Sequence, residues 1–247
     1  MLGRHAPMTV LLAFDTATEQ MNIGLAVHGR ISVHEAPGGA LASAALIPAI
    51  LNLLARDGIT LNDLDAIAFG RGPGAFTGLR TACSVAQGLA FGAGKPVLPI
   101  DTLLAVAEDA RAGAADMTVW VAMDARMDEV YAAGYRFSAQ RWQVQAAPML
   151  VTPEALNERW RARPPQHVAG NALAAFGARL QAPGAVLLPA AMPRATALLS
   201  LAQALWDEGA AVDAALALPL YVRDKVAQTT EERDAVRAAK LAAEVAP

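Results

Sequence analysis

An α/β fold of two lobes is predicted by three observations on this sequence. The N-terminal half runs through three strands and then alternates helices with strands. The same order partly restarts near residue 117. Apolar residues make up 55% of the 247, and mean hydropathy is +0.32, enough to bury one large core or two modest ones.

The elements follow from pattern and punctuation. Met8–Asp15 is a buried strand. Met21–Val27 and Arg30–Glu35 follow, joined through His28-Gly29, a tight hairpin turn. Pro37-Gly38-Gly39 breaks the chain before a helix over Leu41–Arg56, which ends near Asp57-Gly58. Asp65–Phe69 is a strand, Leu79–Phe91 a helix, Val97–Ile100 a strand and Thr102–Arg111 a helix. The order β-β-β-α-β-α-β-α is that of a ribonuclease-H-like lobe, as in the actin and sugar-kinase superfamily.

The second half opens with strands Met117–Asp124 and Val130–Phe137 around Ala125–Glu129, then a third over Trp142–Val151. Thr152-Pro153-Glu154 reads as a helix start, with Thr as cap and Pro in the first turn. His167–Gly170 and Ala185–Leu188 are short strands, and Ala195–Glu208 is an apolar helix. Leu218–Ala227 reads as an edge strand and its exit. The expected division is a first lobe over 8–112, joined by a helix returning near 194–210. A smaller lobe spans 113–230, with a frayed leader over Met1–Pro7 and a loose tail over 231–247.

Charge and residue counts exclude several function classes. A formal net charge of −3 argues against holding a polyanion unaided, because RNA affinity depends on Lys and Arg that neutralise phosphate. Cys83 is the only cysteine, so neither a disulfide framework nor a cysteine zinc site exists within the chain. It reads as a small core residue of a reducing compartment. His5, His28, His34 and His167 include no i,i+3 or i,i+4 pair, so no helical metal site is expected. No signal peptide and no membrane-spanning run is visible, which points to a cytoplasmic protein.

Gly70-Arg71-Gly72-Pro73-Gly74-Ala75-Phe76-Thr77-Gly78-Leu79-Arg80 is the most informative stretch. Four glycines and a proline between strand and helix exceed what a simple turn needs. Glycine also lets backbone approach a bound group at a helix start. Arg71, Gly72, Gly74, Thr77, Gly78 and Arg80 are therefore candidate contacts, to nucleotide phosphate or to a partner's backbone. Asp15, Thr16 and Thr18 form a turn after the first strand. It either faces the same nucleotide or caps the hairpin through its own hydroxyls. No catalytic residue is assigned.

The helix Leu41–Arg56 has almost no polar stripe. Leu41, Ala45, Leu46, Ile50, Leu53 and Leu54 are candidate association residues, with burial inside the fold as the other possibility. Pro48 implies a bend, or a helix that starts beside it.

Four strings in order resemble one family. They are L-x-A-F-D-T-A-T at Leu11–Thr18, the glycine loop, M-D-A-R-M-D-E-V-Y at Met123–Tyr131 and P-L-Y-V-R-D-K-V-A at Pro219–Ala227. That family is the bacterial TsaB (YeaZ) proteins, the non-catalytic dimerisation subunit of the tRNA threonylcarbamoyladenosine synthesis complex.

The resemblance implies an actin-like fold of two ribonuclease-H-like lobes. It also implies a homodimer that gives way to a TsaD-like catalytic paralogue, a TsaE-like ATPase reached through the complex, tRNA contacted only indirectly, and no membrane. No cofactor is expected to bind tightly, with ATP or ADP placed at the cleft or at the partner interface. The paralogue's two metal-binding histidines correspond to Thr102 and Val106 here, neither suited to ligation. The rival expectations are an actin-fold ATPase or small-molecule kinase acting alone through Asp15, and, more remotely, a metallopeptidase-like protein.

Overall fold

The computed structural model describes residues 9–223. Met8, the leader, the tail and the last residues of the fourth string lie outside them. Ten strands form two five-stranded sheets. The first joins β1 (Val10–Asp15), β2 (Gln20–Val27), β3 (Arg30–Pro37), β4 (Ala66–Gly72) and β5 (Val97–Asp101) in the order β3-β2-β1-β4-β5. The second joins β6 (Met117–Asp124), β7 (Val130–Ser138), β8 (Arg141–Val151), β9 (His167–Ala169) and β10 (Val186–Leu188) in the order β10-β9-β6-β7-β8.

The two sheets are topological copies. In each, the first three strands are an antiparallel meander, and the fourth and fifth add in parallel on the other side of the first. This is the ribonuclease-H-like arrangement, and the pair makes the actin-like fold. Tight turns hold the meanders. His28 and Gly29 both have positive φ, as do Ala139 and Gln140 in the matching β7–β8 turn.

Helices α1 (Ala42–Arg56) and α2 (Phe76–Ala93) cover one face of the first sheet. Helices α3 (Thr102–Arg111) and α6 (Ala195–Asp207) cover its other face. The second sheet packs one face on α3 and the other under α4 (Pro153–Ala162) and α5 (Ala172–Phe176). Helix α3 thus lies between the sheets. Its Glu108 ties the layers, accepting hydrogen bonds from Arg111 beside it, Trp142 Nε1 on β8 and Ser200 Oγ on α6.

Two expectations need correction and a third is narrowed. Helix α2 starts at Phe76, three residues early, because the glycine loop itself winds into the first turn. Residues 217–223 form no strand. Pro219 cannot donate to a ladder, and the segment is held by Leu220 N–H donating to the Arg71 carbonyl. Helix α1 runs through Pro48 from Ala42. Pro48 and Ala44 both face solvent, so water can satisfy the carbonyl that Pro48 leaves without a donor.

Candidate functional site

A cavity of about 540 Å³ lies between the lobes, at the ends of β1, β4 and β6. Its first-lobe wall is the glycine loop (Pro73–Phe76) with Thr18, Glu19 and Thr102. Its second-lobe wall is Met123–Met127, Tyr131 and Asn171, and Leu220–Arg223 crosses the rim. Phe76 and Tyr221 rings stand 5.7 Å apart there, and Arg80 lies over Phe76 at 3.7 Å while its Nε donates to the Tyr221 hydroxyl. Arg126 pairs across the mouth with Glu19 and also with Asp124. Arg126, Met127 and Asp128 all have positive φ, a left-handed turn unusual without glycine. Arg223 braces it by bonding the Ala125 carbonyl and the Glu129 carboxylate.

The glycine loop is consumed by contacts within the chain. A Cβ on Gly78 would lie 1.8 Å from the Thr16 carbonyl oxygen, and one on Gly74 would lie 2.5 Å from that of Ala17. A Cβ on Gly70 would meet the Asp15 carboxylate at 1.7 Å. Gly72, at φ +100, leaves no room for a side chain beside Leu79. Ala75 N–H donates to the Ala17 carbonyl, and Thr16 Oγ1 donates to the Gly78 carbonyl. The loop and the Asp15–Thr18 turn are therefore interlocked backbone to backbone.

Asp15 and Thr16 are fully buried and lie behind the cavity wall, where they cannot touch a ligand in the cleft. Asp15 accepts from Ala17 N–H and from Thr102 Oγ1, which in turn accepts from Gly72 N–H. Burial pushes its carboxyl up to about 6, against the pull of those hydrogen bonds. Thr18 and Gly74 line the cavity. Arg71 is paired with Asp101 behind it, and Thr77 and Arg80 face outward along α2. Cys83 is a core residue whose thiol burial raises.

The association residues also divide. Leu46, Ile50, Leu53 and Leu54 are buried in the chain's own core against β2 and α2, although Leu54 also lines a groove open to the surface. The inward stripe of α1 recurs every three to four residues. The outward face carries Leu41 (68% exposed), Ile47 (41%) and Leu51 (46%), with Ala45 half-buried between. On α2 beside it, Phe91 is 84% exposed and Gly88 and Gly92 leave the helix surface flat. A groove bounded by Leu51, Ile59, Leu61, Leu89, Gly88 and Gly92 separates the two helices. Sequence reasoning misses Ile47, Leu51 and Phe91 because an all-apolar helix gives no signal for its outer side.

The family model "TsaD: tRNA N6-adenosine threonylcarbamoyltransferase" matches residues 23–243. The tRNA threonylcarbamoyladenosine biosynthesis protein TsaB of Escherichia coli (strain K12) is 33% identical over 232 residues, spanning 88% of this chain and 96% of that protein. The solved structure of YeaZ from Pseudomonas aeruginosa superposes with a TM-score of 0.78 at 38% identity, covering 87% of this chain and 100% of that one. The chain belongs to the TsaB (YeaZ) family. The protein of the same name from Haemophilus influenzae is 45% identical over 121 residues, about half of each chain.

Within this TsaB framework, Thr102 and Val106 are both engaged inside the chain. Thr102 is bonded to Asp15 and Gly72, and Val106 is buried in the core between the sheets. No group of three or more His, Cys, Asp or Glu side chains capable of holding a metal occurs among the described residues. No helix among them is long and apolar enough to cross a membrane.

Proposed function

We propose that this chain is a non-catalytic scaffold in tRNA threonylcarbamoyladenosine biosynthesis, docking a TsaD-like catalytic paralogue through the outward face of α1 and α2. The observation that carries this reading is the set of exposed apolar residues on two adjacent helices, Ile47 and Leu51 on α1 with Leu41 at its start and Phe91 on α2, beside the groove that Leu51 and Gly92 border. The same face serves a homodimer when the paralogue is absent, since either partner removes it from water. The engaged state of Thr102 and Val106 supports a structural role for the lobe pair. A TsaE-like ATPase joins through the assembled complex.

Light scattering on the chain, alone and mixed with the paralogue from the same organism, tests the reading. A homodimer that yields to a hetero-complex is expected, and Ile47→Glu with Leu51→Glu abolishes both while the variant stays folded. A monomer indifferent to the paralogue would overturn the scaffold.

The interlobe cavity favours a second reading, in which the chain binds ATP or ADP there. The free N–H groups at the α2 start and the Phe76 and Tyr221 rings would hold it. Turnover of ATP by the chain alone, lost on Thr102→Val, would favour that reading over the scaffold.

A further inference from the structure

The outer face of the second sheet carries a cluster of arginines that nothing in the cleft or on α1 and α2 uses. Arg159, Arg161 and Arg163 crowd the last turn and exit of α4, and Arg136 stands on β7. All four are exposed, and none makes an ion pair or side-chain hydrogen bond among the described residues. Other exposed arginines of this lobe are matched, such as Arg179 with Asp128 and Glu154.

The register places Arg136 on β7 across β6 from β9, the strand that the α4 exit leads into. Arg136 lies opposite Thr118, on the face of the sheet that also bears Trp120, Ala122 and Ala132. Helix α4 covers that face, and its buried Trp160 meets Trp120 edge-on, ring centroids 6.2 Å apart. The α4 exit leads in four residues from Arg163 to His167, which bonds the Thr118 carbonyl. Arg136, Gln166 and His167 border one depression of about 420 Å³. Glu158 adjoins Arg159 in sequence and Asp116 borders the same depression as Arg136, two carboxylates against four guanidinium groups.

We propose that this face binds the phosphate backbone of an RNA strand. One feature favours a polyanionic strand over a single anion. At about 100° per residue, Arg159 and Arg161 leave α4 on opposite flanks, so the charges spread along a track and do not converge on one point. The net charge of −3 keeps the contact weak for the chain alone but does not forbid it. Screening cuts charge interactions off beyond roughly 10 Å, so local charge governs contact. The contact is weak alone and additive within an assembly that holds the same RNA elsewhere. Only the choice of tRNA as the RNA rests on the proposed function.

Fluorescence anisotropy of a labelled tRNA transcript is the test, on the chain alone and in complex with the paralogue, across a salt series. Arg159→Ala with Arg161→Ala and Arg163→Ala is expected to weaken binding about tenfold in both settings. The slope of log affinity on log salt should fall by about 2, near 0.7 for each phosphate no longer neutralised. Arg136→Gln gives a smaller loss in the same direction. Arg30→Ala, whose partner is Asp57 on the other lobe, leaves binding unchanged. An unchanged affinity and slope in the triple variant would overturn the proposal. Displacement of the RNA by polyglutamate at equal charge concentration would overturn it in favour of an acidic protein partner. If the chain ignores the paralogue, the scaffold reading fails, while the measurement on the chain alone still decides this one.

Discussion

Asp15 and Gly70 are a matched pair: the carboxylate of one fills the space where a side chain on the other would stand, with only 1.7 Å between its Oδ2 and a Cβ built on Gly70. The same logic repeats at Gly78 against the Thr16 carbonyl and at Gly74 against Ala17. The loop keeps its glycines because the β1–β2 turn has taken their volume. What it offers a ligand is the rim that remains, from Pro73 to Phe76.

Gly78→Ala is therefore expected to destabilise by about 3 kcal/mol or more, because the obstacle is backbone and the interlock must open. Gly88→Ala is the contrasting case. It sits in the same helix with nothing within 4 Å, so it should stabilise by about 0.5–1 kcal/mol. Urea titration of both variants checks the pair. Equal effects would mean that the interlock contributes nothing.

Asp15 gives a pH signature. Its carboxyl is raised from 3.8 to about 6 by burial, so between those values the folded state holds more proton than the unfolded one. Stability from this group is greatest below pH 3.8 and declines as pH rises to about 6, by about 3 kcal/mol in all. Asp15→Asn should flatten the profile in that window. Unfolding midpoints from pH 4 to 7 decide it, and an identical slope in the variant would refute the assignment.

The fold was legible because its signals are local and repeated. Strand runs such as Val10–Asp15, the His28-Gly29 turn and the Thr152 cap each announce one element. The second lobe's identical topology was only partly visible, since its β7–β8 turn uses Ala139-Gln140 and its fifth strand is three residues long. The site was less legible. Gly78 and Gly74, read as contact residues, leave room for Thr16 and Ala17, a non-local fact no pattern carries, while Gly74 also lines the cavity. Leu46 and Ile47 are adjacent and equally apolar, yet one is buried and the other is 41% exposed.

Glu108 should show the opposite pH sign to Asp15. Burial disfavours its charge, yet hydrogen bonds from Arg111, Trp142 and Ser200, with the charge of Arg111, together hold its carboxyl below the usual 4.5. A depressed value stabilises above the unfolded value and is lost as pH falls through the folded one. Glu108→Gln should cost about 2 kcal/mol or more at pH 7, and the deficit should shrink below pH 4.5. A deficit independent of pH would assign the loss to packing of Trp142 alone.

The adjacent pair on α1 separates folding from association. Leu46 is fully buried among β2 and α2 side chains, so Leu46→Ala should destabilise by about 2–5 kcal/mol, and a charge there should unfold the chain. Ile47 faces outward, so Ile47→Glu should shift stability by about 0.5 kcal/mol at most. Phe91→Glu on the neighbouring helix should behave like Ile47→Glu, because it too is exposed and lies outside the core. Calorimetry and sedimentation on the same samples distinguish the outcomes. Loss of self-association with an unchanged melting temperature in both outward variants fits a docking face. Retention of the dimer in both would place the association surface elsewhere, whatever the stability of the chain.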